Sequence, residues 1–170
     1  MRSDLDAFLD EGPPRRLAVE KFRDLSLGAK LMLAAALLLF FSLFLTWQNL
    51  EIDYGRTGTG TQMLDGWDVF GLVIGLLTIG LLTFVVVVKL YDADLAEEMS
   101  TELLMIVLAT AILGLVVAKN LTDRNSAWAS YLGVALAVAV VLGAFLDLAS
   151  ERIGKRAVPG RRRRRLRRVA

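Results

Sequence analysis

Four uninterrupted apolar runs set the pattern of this chain: residues 31–47, 69–88, 103–118 and 129–146 each lack any charged side chain. Crossing the hydrocarbon layer of a membrane takes about 20 apolar residues in a helix, within a range of about 17 to 25. The second and fourth runs meet that length, the first meets it narrowly, and the third needs its flanks to complete it. Those flanks are helix-competent. Asp94 followed by Glu97 has the form of a capping box, in which the two side chains take up otherwise unpaired backbone N–H groups, so the third helix is expected to begin near Leu95. The pattern therefore predicts an all-α membrane protein, a four transmembrane helix bundle with spans near 29–48, 68–89, 100–119 and 128–148. A segment 1–25 precedes this 26–150 domain, a loop 49–67 joins the first two spans, and a tail occupies 151–170.

The polar intervals carry their own local signals. Alternation over residues 50–54, glycines at 55 and 58, and renewed alternation over 59–64 permit a small β-hairpin lying against the outer surface. Asp65 suits an N-cap for the second helix, and Asp68 then falls in its first turn, where the helix dipole favours negative charge. Ser26 is the expected cap of the first helix, and Asn125 or Ser126 that of the fourth. Near the start, Gly12-Pro13-Pro14 breaks any helix, after which Ala18, Phe22 and Leu25 recur at helical spacing among basic residues. Either a helix lying on the membrane surface or a solvated leader fits that pattern. The late apolar run with no small-residue cleavage site excludes a cleavable signal peptide.

Composition narrows the chemistry more than it adds to it. With no cysteine and no histidine among 170 residues, disulfides, thiol nucleophiles, Cys/His zinc sites and imidazole acid–base chemistry are excluded. No cofactor is expected. The net charge of +2 conceals an asymmetry in Lys and Arg: six lie in residues 1–30, one at Lys89 and ten in the tail, against only Arg56, Lys119 and Arg124 on the alternate side. Because positive residues concentrate on the cytoplasmic side, both termini are expected to be cytoplasmic and the 49–67 loop external. Trp47, Trp67, Trp128, Tyr54 and Tyr131 fall near the same outer interface, as an aromatic belt would.

Ionisable residues inside a span mark proton relays and ion pathways, because a buried charge costs several kcal/mol. None lies inside these runs, which argues against a pump or proton-coupled carrier. Thr78 and Thr110 are expected to bond carbonyls of their own helices, and Asp147 to form an ion pair near Lys89 or to meet headgroups. The carboxylates Glu51, Asp53, Asp65 and Asp68 do not match a calcium-loop spacing. Within the loop, Glu51, Asp53, Tyr54 and Arg56 remain as candidates for contact with an outer partner. In the tail, Arg161, Arg162, Arg163, Arg164, Arg165, Arg167 and Arg168 form a juxtamembrane cluster expected to contact anionic lipid headgroups. No aromatic residue interleaves them, so a nucleic-acid platform is not indicated. Helices in lipid associate where small residues let backbones approach. Gly71 and Gly75, Gly114 in a stripe with Thr110 and Ala118, Gly133 with Ala137, and Gly143 are the candidates for such packing, within one chain or between copies in a homo-oligomer.

The sequence FFSLFLTW, a glycine-containing loop and then GWDVFG resemble small uncharacterised four-span bacterial membrane proteins of the actinobacterial type. The matching residues are Leu43, Phe44, Leu45, Trp47 and Trp67, within a similarity over about residues 26–150. That resemblance implies a multi-pass protein of the cytoplasmic (inner) membrane and supplies no activity. With no nucleophile–base pair visible, the expectation is a non-catalytic accessory or self-associating membrane component. The alternative is a small oligomeric transporter or pore. A continuous polar cavity through the bundle would favour the second; a dry interior of Leu, Val and Ala would favour the first.

Overall fold

In the computed structural model, residues 21–53, 55–91, 100–123 and 125–156 are described, without the side chains of residues 57, 90 and 154–156. They form α1 (Leu27–Ser42), β1 (Thr46–Asp53), a 3-10 turn (Gly55–Thr57), β2 (Thr59–Asp65), α2 (Val69–Leu90), α3 (Thr101–Thr122) and α4 (Trp128–Arg156). Helices α2, α3 and α4 are each long and apolar enough to cross a membrane, whereas α1, at 16 residues, is shorter. The helices pack in a ring, α1 on α2, α2 on α3, α3 on α4 and α4 back on α1. At most a third of each long span is buried inside the protein, and side chains such as Leu76, Val107 and Leu142 point outward. An apolar belt this extensive exceeds what a soluble monomer exposes.

The first helix ends earlier than its apolar run predicts, at Ser42 rather than near residue 48. From there Leu43, Phe44 and Leu45 donate to the carbonyls three residues back, at 3.0–3.3 Å, so the chain tightens by one turn and then extends into β1. Strand β1 pairs antiparallel with β2, and the register shifts between Thr46 and Gln48, leaving Trp47 as an extra residue. Such a bulge re-aims the side chain it carries. Trp47 is turned fully inward, its Nε1 donating to the Ser42 carbonyl at 2.7 Å, and it is not the interface aromatic its position suggested. The hairpin permitted by the alternation is thus present, and it starts three residues before the expected loop.

The helix ends also differ in detail. Ser26 caps α1, accepting from Ala29 N at 2.9 Å. The cap of α2 is Asp68, which accepts from Gly71 N at 2.8 Å, while Asp65 accepts from Trp67 N at 3.1 Å in the preceding turn. Neither Asn125 nor Ser126 directly precedes α4. Asn125 takes a positive φ of 57° and Ser126 bridges to Gln48, so both serve to join the α3–α4 connection to the hairpin. The expected start of the third helix near Leu95 lies outside the described residues; the described helix is preceded by Ser100.

Small residues pack where α1 crosses α4, and only some of the expected ones take part. A Cβ on Gly143 would stand 2.7 Å from Met32 N, and one on Gly28 2.6 Å from the Gly143 carbonyl, so these backbones touch. Gly133 lies under the Trp47 ring, and Ala137 is buried on the same face of α4. The Gly71/Gly75 pair does not meet a helix: Gly71 abuts the Gly66 carbonyl and Gly75 the Trp67 ring, because the loop folds back onto the start of α2. Gly114 and Thr110 are exposed, with nothing within 4 Å of a Cβ built at Gly114, so that stripe faces away from the ring.

Candidate functional site

Between its two ends the helix ring is filled by Met32, Ala35, Leu39, Ile74, Leu81, Met105, Ile112 and Val140, all buried. The buried hydroxyls at this level turn to their own helices, Ser42 to the Leu39 carbonyl and Thr78 to the Ile74 carbonyl, each at 2.7 Å. This satisfies a polar group without opening a path for water. Among the described residues, polar chemistry is therefore confined to the two ends of the ring.

At the hairpin end the central group is Lys119, in the last turn of α3 and 1 % exposed. Its Nζ lies 2.5 Å from Asp68 Oδ2 and 3.1 Å from Asp123 Oδ2, and 5.6 Å from the centre of the Trp47 ring. A desolvated ammonium needs such compensation, and a tryptophan face is a good source of it. The arrangement joins α2, α3 and β1 through one cation, with Asp68 capping α2 through its other oxygen. Sequence reasoning missed this residue, since a lysine just beyond an apolar run reads as one reaching for headgroups. The available signal was Asp123, one helical turn after Lys119.

At the opposite end Asp147 of α4 is 2 % exposed. Ser26 donates to its Oδ1, Lys89 of α2 stands 3.0 Å from its Oδ2, and Lys89 also pairs with Glu151. The ion pair anticipated for Asp147 and Lys89 is thus formed, inside a group that ties the start of α1 to the ends of α2 and α4. A cavity of about 350 Å³ opens beside it. Lys21, Asp24 and Ser26 line it on one side, and Lys89, Asp147 and Glu151 on the other. Two ammonium groups and three carboxylates in so small a space can bind or orient a charged group. They present no nucleophile set against a base.

Of the residues singled out in the outer loop, Glu51 and Asp53 lie in β1 and Arg56 in the turn that follows, and they do not join either cluster. Glu51, Asp53 and Arg56 are exposed, and Asp53 closes the turn by accepting from Gly55 N at 2.8 Å. Tyr54 lies outside the described residues, as do Arg161, Arg162, Arg163, Arg164, Arg165, Arg167 and Arg168 of the tail and the acidic residues 92–98. Among the described residues no group of three or more carboxylates, those of this cavity included, is placed so that it could hold a metal ion. Comparison with protein-family models, curated proteins and solved structures found no match.

Proposed function

We propose that this chain is a non-catalytic integral protein of a bacterial cytoplasmic membrane, acting as an accessory or scaffold component. The observation that carries the reading is the dry interior: apolar side chains fill the ring between two charged ends, and the hydroxyls there are internally bonded. In this reading all four helices cross, with both termini cytoplasmic and the hairpin outside, following the distribution of Lys and Arg. Helix α1 supplies about 24 Å at 1.5 Å per residue. The tightened turn through Leu45 adds about 6 Å at 2.0 Å per residue, which brings the segment to the hydrocarbon thickness of about 30 Å. The hairpin then stands as the outward surface for a partner, with Glu51, Asp53, Tyr54 and Arg56 as the candidate contacts. The arginine tail contacts anionic lipid at the inner face.

A dry ring conducts nothing. Purified protein reconstituted in liposomes is expected to pass protons, potassium and small neutral solutes no faster than protein-free liposomes, measured by dye quenching and light scattering. Flux that rises with protein content would overturn the accessory reading in favour of an oligomeric pore.

A further inference from the structure

The two outer edges of the hairpin differ. Along β1, Asn49 N donates to the Asn125 carbonyl at 3.1 Å and Ala127 N to the Trp47 carbonyl at 2.7 Å, so the α3–α4 connection covers that edge where it starts. Along β2, from Thr59 to Asp65, no further strand pairs among the described residues. An open edge offers a row of backbone donors and acceptors spaced for another extended chain, and proteins commonly blunt it with lysine or proline. Residues 59–65 contain neither.

Charge adds a second, separate feature. Glu51 stands opposite Thr61 and Asp53 opposite Thr59, and alternate residues of a strand share a face. Glu51, Asp53, Thr59, Thr61 and Met63 therefore lie on one face, all exposed, and Asp65 continues it along β2. Leu50, Ile52 and Leu64, on the opposite face, are half-buried. Among the described residues the three carboxylates form no ion pair, and their face carries no lysine or arginine, since Arg56 belongs to the turn. Neighbouring strands stand about 4.8 Å apart, which puts a chain added beside β2 about 10 Å from β1. A lysine or arginine on such a chain reaches Glu51 and Asp53 across the short Thr59 and Thr61, and meets Asp65 directly.

We propose that the β2 edge takes up an extended basic segment of a partner protein as a third strand. Backbone hydrogen bonds hold the segment, and lysine or arginine at its alternate positions faces Glu51, Asp53 and Asp65. A second copy of this chain is the poorer occupant, because it sets one acidic face beside another. Binding of this kind rests on the reading of the hairpin as a partner surface and names the partner's chemistry. Solute flux in liposomes would remove the accessory role and leave peptide binding standing, while loss of peptide binding would leave the dry ring as it is.

The test titrates the full chain in nanodiscs of phosphatidylcholine, which carries no net charge and leaves the hairpin accessible on either side. The probe is a synthetic peptide alternating lysine and valine, matched to the seven residues of β2. Saturable binding that weakens with salt is expected, with hydrogen exchange slowed at the β2 amides. The same peptide N-methylated at every amide keeps its charge and loses its donors, and is expected to bind about tenfold more weakly. Glu51→Lys is expected to weaken binding about fivefold, through a lost surface ion pair and a new like-charge contact; its thermal midpoint checks that it folds. No saturable binding at about 1 mM peptide would overturn the proposal. Equal binding of the N-methylated peptide, or undiminished binding to folded Glu51→Lys, would overturn it by tracing the interaction to charge alone or to another acidic part of the chain. Protection of the β2 amides that grows with protein concentration in the absence of peptide would assign the edge to a second copy and overturn it as well.

Discussion

Gly143→Leu is expected to abolish the folded ring, and Gly28→Leu to do the same. At both positions the atoms that an added side chain meets are backbone: Met32 N and the Gly28 carbonyl around Gly143, and the Gly143 carbonyl and Asp147 N around Gly28. Backbone in a helix cannot rotate aside as a side chain can, so α1 and α4 must separate. Overpacking a core ordinarily costs about 1–3 kcal/mol. Here the cost is compounded, because the same crossing holds Ser26 against Asp147 and, through it, Lys89. Gly80→Ala and Gly114→Ala are the matched controls, since no atom lies within 4 Å of either added Cβ. They are expected to leave stability within about 1 kcal/mol of the original, the difference in helix propensity. Thermal midpoints by size-exclusion chromatography in detergent separate the two classes; a folded Gly143→Leu would contradict the described crossing.

Lys119→Met has the second large expected effect, and it acts at the other end of the protein. Removing one partner of a buried ion pair costs about 3–5 kcal/mol, because the remaining charge stays desolvated. Asp123, whose side chain is 6 % exposed, is the group left behind, while Asp68 at 45 % can turn to water. The Trp47 face also loses its cation, so the hairpin should loosen locally. Hydrogen exchange of the β1 amides is expected to rise by more than that of α2. Adding Asp123→Asn to Lys119→Met is expected to recover part of the lost stability, which identifies the stranded carboxylate as the cause. A Lys119→Met protein as stable as the original would mean that the ammonium contributes nothing net.

How far these features could be read beforehand depends on whether their signal is local. The runs behind α2 and α4 are legible because a hydrocarbon-spanning helix must be apolar throughout, and the hairpin because alternating stretches flank one turn that carries Gly55 and Gly58. Trp47 was misplaced because its direction is set by a bulge, a property of the pairing between β1 and β2 and not of either strand. The Gly71/Gly75 spacing was equally ambiguous: a small surface on a helix accepts a helix, a ring or a loop carbonyl, and only the fold decides among them. Gly28 carried no such spacing and yet makes the closest crossing. The Lys89–Asp147 pair was accessible from depth alone, since both residues end apolar runs on the same side. Lys119 was not, because burial there depends on the hairpin closing over it.

The crossing number of α1 is the point on which the whole arrangement turns, and labelling tests it directly. The chain contains no cysteine, so Ser3→Cys, Thr59→Cys and Ala170→Cys each introduce a single thiol that can be challenged with a membrane-impermeant maleimide in intact cells. With four crossings, Thr59→Cys is expected to be modified in intact cells, and Ser3→Cys and Ala170→Cys only after lysis. Modification of Ser3→Cys together with Thr59→Cys in intact cells, with Ala170→Cys protected, would show that α1 lies on the surface and would contradict four crossings.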